Sequence, residues 1–174
     1  MRQLVLLWFS VLILWGCQDD AGEPLFDLIY PPESFEISAG RNPIVSDGFA
    51  FPNLQTRFTS YLNDNNRSVD EITQILPQSA RLISNDGQDF SFLDQVSVRI
   101  CPNTGEQCDQ ADEVFYSTDL YRRRWETIQL DPGLRNVKDL LSGEEYRLEV
   151  VLTYGEITPY SMSCRLEYSF RAYQ

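Results

Sequence analysis

The last third of the chain constrains its fold most. Tyr146, Leu148, Val150, Leu152 and Tyr154 alternate with Arg147, Glu149, Val151 and Thr153. After the connection GEITP, Met162, Cys164, Leu166, Tyr168, Phe170 and Ala172 alternate with Ser161, Ser163, Arg165, Glu167, Ser169 and Arg171. Successive side chains of a strand point to opposite faces, so a period of two lays one face on a core and leaves the other in water. A helix repeats every 3.6 residues and cannot use this pattern. Two such strands need a further layer to cover their apolar faces.

The preceding residues supply that layer in shorter pieces. LFDLIY (25–30) reads as a first strand and FEIS (35–38) as another, whereas residues 40–53, rich in Gly, Asn and Pro, read as loop. Leu54, Phe58, Tyr61 and Leu62 recur at helical spacing. SVDEITQIL opens with Ser68 and Glu71 in capping-box spacing and predicts a short helix ended by Pro77. The period then returns to two. SARLIS, a turn at NDGQD, FSFLDQVSVRI, EVFYS and WETIQL follow, with DPG (131–133) as a turn and NVKDLLSG as a short helix stopped by Gly143. Seven or eight short strands with one to three short helices predict a mainly β chain, an antiparallel two-layer β-sandwich, with a partly open β-barrel as the alternative. Short helices are expected near 53–76 and 136–142, within a single sandwich domain over 34–174.

No histidine occurs. This removes the commonest general base near neutral pH and the commonest metal ligand, and with them Ser-His-Asp, Cys-His and HExxH chemistry. Cys101 and Cys108 flank the turn-like PNTGEQ and predict a disulfide in an oxidising compartment. They make a poor zinc site, with no second CxxC or His to complete it. Cys164 falls on the apolar face with Leu166 and Phe170 and reads as a small buried hydrophobe.

The chain opens MRQ and runs from Leu4 to Trp15 with Ser10 as its one polar side chain. That run suits a signal-peptide core and is short for a bilayer crossing, which takes roughly 20 residues. Leu14-Trp15-Gly16-Cys17 resembles the lipobox of bacterial lipoproteins. The resemblance implies cleavage after residue 16 and acylation of Cys17, palmitate included, with residues 17–33 as tether and first strand. Gln18 in place of Asp implies outer-membrane rather than inner-membrane residence, periplasmic or surface-facing. From about 77 to 174, DFSFLDQVSVRICP, VKDLL and the paired alternating strands are similar to bacterial cell-surface lipoproteins built as one β-sandwich. That similarity brings no activity with it.

Cleavage removes one of the 14 basic side chains and none of the 26 acidic ones, moving the net charge from −12 to −13. So acidic a surface repels nucleic acid and anionic headgroups. Against it stands YRRRW: Tyr121, Arg122, Arg123, Arg124 and Trp125. Arginine with aromatic planes suits carboxylates, phosphates and sugar acids, and these residue types are enriched at protein–protein hot spots. The alternative is that these arginines pair with acids of the domain's own surface. SNDGQD (84–89) and NDNN (63–66) offer oxygen ligands for calcium, but ordinary turns use the same residues. Glu113, Glu126, Glu149 and Glu167 could supply a glycosidase-type pair, with Glu149 and Glu167 expected on outward faces. Tyr160 and Tyr173 are expected to be exposed.

The sequence thus predicts a non-enzymatic, membrane-anchored envelope lipoprotein that binds a protein or helps assemble a complex. A glycan- or polysaccharide-binding surface lipoprotein, calcium-assisted or not, is the alternative. Neither metal nor cofactor is assigned.

Overall fold

The computed structural model describes residues 22–174. Nine strands follow in order: β1 (Pro24–Ile29), β2 (Glu33–Ile37), β3 (Asp47–Gln55), β4 (Gln74–Ser84), β5 (Leu93–Pro102), β6 (Glu113–Ser117), β7 (Thr127–Pro132), β8 (Glu145–Tyr154) and β9 (Met162–Tyr173). Two short helices, α1 (Phe58–Asp64) and α2 (Lys138–Leu141), and 3-10 turns at Val69–Glu71 and Gln110–Asp112 lie between them. The lipobox and Cys17 lie outside the described residues.

Every pairing is antiparallel, in the order β1-β9-β4-β7-β6-β5-β8-β3. β1 and β2 share one edge of β9, β1 along Ser169–Tyr173 and β2 along Met162–Leu166. β7 joins the two halves: Thr127 to Leu130 pair with β4, and Asp131 and Pro132 pair with β6. The sheet curls at this strand, bringing β6 and β8 over β9. Phe115 then meets Phe170 at 5.7 Å between ring centroids, and the Tyr146 and Tyr168 hydroxyls lie 2.6 Å apart. The result is the expected mainly β, antiparallel architecture. It has two facing layers, continuous through β7 as in a partly open barrel. On the other side Phe35 of β2 packs on Phe49 of β3 at 4.4 Å.

The alternating runs form the core. Leu148, Val150, Leu152, Leu166 and Phe170 have no exposed surface, and each such side chain stabilises the fold by roughly 1.5–3 kcal/mol. Cys164 is fully buried, as its register predicts.

Four local expectations are corrected. Residues 47–53, expected as loop, belong to β3; as an edge strand paired only with β8, it tolerates Pro52 and a bulge between Phe51 and Leu54. The helix expected from Ser68 stops after one 3-10 turn. Its capping box forms, with Ser68 N–H donating to Glu71 Oε1 at 3.0 Å, but from Gln74 the chain pairs with β9. Pro77 sits inside β4 at a bulge, beside a stretch where β7 does not reach and Asn136 and Val137 bond to Ile75 instead. Asp131 and Pro132 end β7 rather than forming a free turn. The expected helix over Leu54–Leu62 begins only at Phe58.

The strand directions give the fold two distinct ends. At one lie the connections β2–β3, β4–β5, β6–β7 and β8–β9. At the other lie Gly22, Gln174, α1, α2 and the disulfide turn, since Pro24 pairs with Tyr173 and Pro102 with Tyr146.

Candidate functional site

The YRRRW segment lies in the β6–β7 connection, and its backbone is fixed before its side chains reach outward. Arg122 N–H donates to Ser91 O at 2.7 Å, Arg123 N–H to Leu120 O at 2.9 Å, and Phe90 N–H to Trp125 O at 2.9 Å. Asp119 and Arg122 take left-handed backbone angles, φ 56° and 66°. Such angles cost a non-glycine residue about 1–3 kcal/mol unless its surroundings hold it there. Tyr121 lies against the backbone of Gly155, where any Cβ would run into its ring. Its hydroxyl donates to Glu156 Oε2 at 3.2 Å.

The side chains then form two cation–aromatic pairs. The guanidinium of Arg122 stands 5.0 Å from the Tyr121 ring centre, and that of Arg123 stands 5.1 Å from Trp125. Arg123 Nε also donates to Asp119 O at 2.8 Å. Seven other arginines form ion pairs with carboxylates. Arg122, Arg123 and Arg124 form none among the described residues, although all three are exposed. Arg124 acts on Asp89 only at longer range; that carboxyl is held below its ordinary value first by its bond with Ser91. Arg122 likewise feels Glu156 without pairing with it, so among the described residues the domain's own acids reach these arginines through longer-range attraction and not through direct ion pairs. Beside them an open groove of about 410 Å³ is lined by Leu120, Arg123, Trp125, Thr127, Gln129 and Asp131, among others.

The other candidates resolve into structure. Cys101 and Cys108 are bonded, with S–S 2.10 Å and Cα atoms 5.5 Å apart. Among the described residues they also form, with Asp112, the one cluster close enough for metal ligation. The sulfurs are joined to each other, however, and Asp112 pairs with Arg135 at 2.8 Å. In SNDGQD, Asp86 accepts from Ser163 N–H and so ties the segment to the start of β9, while Asp89 accepts from Ser91 N–H and closes a turn. In NDNN, Asn65 bonds back to Tyr61 O and Asn66 takes φ 51°.

Glu149 departs from expectation: it is buried, not outward in water. It faces Arg99 across the strand pair and holds Arg147 Nε at 2.6 Å, while Ser97 bridges Arg99 and Glu113. These acids serve a cross-strand charge ladder. Glu167 is likewise held between Arg81 and Arg165, which keep its carboxyl below the ordinary range. Tyr160 and Tyr173 are half-buried rather than exposed, Tyr160 donating to Asp89 O at 2.7 Å.

Two features lie outside the residues that the sequence singles out. Tyr30 stacks on Tyr168 at 5.6 Å and 8°, and Tyr61 and Tyr146 meet Tyr30 edge-on. Burial pushes the Tyr30, Tyr146 and Tyr168 hydroxyls well above the usual tyrosine range. Also missed were three exposed aliphatics at the loop end: Ile44, Val45 and Ile157. Their signal was present, since aliphatic side chains are out of place in turn-like RNPIVSDG and GEITP.

No family model matches the chain, and no curated protein matches it either.

Proposed function

We propose that the chain is a non-enzymatic binding module of the bacterial envelope, tethered through an acylated Cys17 to the outer membrane and engaging another envelope protein through Tyr121–Trp125. One observation carries the reading. In a chain of net charge −12, three adjacent arginines have no carboxylate within ion-pair distance among the described residues, while seven others are paired. Unpaired guanidinium groups on a fixed backbone are ready donors for carboxylates supplied from outside. A non-catalytic role is supported by the lack of histidine and by the occupation of Glu149 and Glu167 in ion pairs.

The groove beside Trp125, with hydroxyl, amide and carboxylate groups along it, favours a second reading: capture of a glycan. The test is the full chain with Arg122→Ala, Arg123→Ala and Arg124→Ala together. Loss of a specific co-purifying envelope protein supports the first reading. Loss of glycan retention with that protein still bound supports the second. Turnover of any substrate that disappears on one Glu or Asp substitution overturns both.

A further inference from the structure

The strongest unexplained feature is the loop end as a whole. Its four connections are bonded into one unit. Gly40 N–H donates to Thr158 O at 2.9 Å, and the Thr158 hydroxyl donates to Ser38 O at 2.8 Å, tying β2–β3 to β8–β9. Gly155 N–H donates to Phe92 O at 2.9 Å, and Arg122 N–H to Ser91 O, tying both neighbours to β4–β5. On this unit stand Ile44 at 86 %, Val45 at 63 % and Ile157 at 63 % exposure, together with the three arginines that form no ion pair among the described residues.

We propose, building on the binding reading above, that this four-loop end is the docking face for a protein partner presenting acidic side chains beside apolar ones. The chain's overall acidity disfavours an acidic partner over most of its surface, whereas Arg122, Arg123 and Arg124 stand side by side with no carboxylate at ion-pair distance among the described residues. Attraction at one place against repulsion elsewhere fixes orientation as well as partner choice.

The apolar side chains of this face suit protein better than sugar or lipid. A sugar ring stacks on an aromatic face, but Arg123 stands over Trp125 and Arg122 over Tyr121. Ile44, Val45 and Ile157 offer aliphatic area, which protein side chains match. An anionic lipid surface meets the same global repulsion, and it lies at the wrong end. The chain outside the structure begins beside Gln174, at the far end of β9. A strand of 12 residues spans about 40 Å at ~3.3 Å per residue, so a tether that starts there leaves the docking face a strand's length away.

The experiment places a photo-crosslinking residue, one position at a time, at Ile44, Ile157 or Val69 of the full chain in cells of the native host. Val69 is 43 % exposed at the opposite end. The adduct is then sequenced. Expected are adducts from Ile44 and Ile157 to one polypeptide, at a segment rich in Asp and Glu, and none to it from Val69. The same positions combined with Arg122→Glu, Arg123→Glu and Arg124→Glu should lose that adduct at least tenfold; Arg124→Glu alone, a milder change, should weaken it. Adducts to a segment without acids, or to hexose or phospholipid, overturn the acidic-protein partner while leaving a binding function standing. Adducts only from Val69 overturn the placement of the face. No adduct from any position overturns both this inference and the binding reading beneath it.

Discussion

At the scale of single residues, two buried tyrosines, Tyr146 of β8 and Tyr168 of β9, meet through their hydroxyls across the two layers. Tyr146 and Tyr168 were legible as inward from period two alone. Their hydroxyl pair, 2.6 Å apart, was not, because it exists only once β8 lies over β9. Tyr146→Phe leaves the buried Tyr168 hydroxyl without its partner and is expected to cost about 1–3 kcal/mol, whereas Tyr146→Phe with Tyr168→Phe removes both groups and should cost less than twice that. Urea unfolding of both single variants, Tyr146→Phe and Tyr168→Phe, and of the double variant measures the coupling; strict additivity would show that the hydroxyls do not interact. The buried cluster also sets a pH dependence. Burial pushes the Cys164 thiol from 9.0 up to about 12, and it pushes Tyr30, Tyr146 and Tyr168 up as well. The unfolded chain therefore ionises first, unfolding releases protons, and stability falls as pH rises from about 9 upward. Tyrosinate absorbance followed beside circular dichroism should show these tyrosines ionising together with loss of structure, not before it. The arginines teach the same limit: their clustering is visible in YRRRW, but their lack of carboxylate partners depends on where Asp89 and Glu156 fall after folding.

At the scale of elements, long alternating segments were readable and short edge segments were not. β8 and β9 follow their pattern almost residue for residue. β3 hides behind Gly48, Pro52 and Asn53, residues that argue against a central strand but suit an edge. The 68–76 segment carries a valid helix start, yet pairing of Gln74–Ser84 with β9 outweighs continuing the helix from Ile72 to Leu76, the usual outcome when tertiary pairing opposes propensity. The disulfide turn, by contrast, was readable from spacing because a short closed loop needs little context. It holds the β5–β6 connection, with Arg99 Nη1 also bonding Cys108 O at 3.3 Å. Cys101→Ser with Cys108→Ser should destabilise the fold by roughly 2–3 kcal/mol, read as a lowered melting temperature. An unchanged melting temperature would mean that the turn is held by its hydrogen bonds alone. Intact-mass measurement should show a two-dalton gain on reduction of the parent chain and none in the variant.

At the scale of the whole molecule, the arrangement of ends links the anchor to the site. Composition could not reveal it, because it follows from strand directions and from the pairing of Pro24 with Tyr173. If Cys17 is acylated, four residues separate it from Gly22, where the described residues begin. At no more than about 3.6 Å per residue, the end bearing α1, α2 and the disulfide turn must stay close to the bilayer. The loop end then projects away from it, toward whatever compartment the face serves. Membrane fractionation of the full chain against Cys17→Ala tests the first step: the parent should sediment with membranes and the variant should be soluble. Protease added to intact cells tests the second. Cleavage in the exposed loop at Ile44 and Val45, before any cut near Gly22, is the outcome for a domain on the outer face. Protection until the outer membrane is opened, followed by the same order of cuts, is the outcome for a periplasmic one. Either order-preserving result agrees with the tethered geometry. A first cut at the loop end in Cys17→Ala but at the opposite end in the parent would contradict it, since a lipid anchor shields the end it holds.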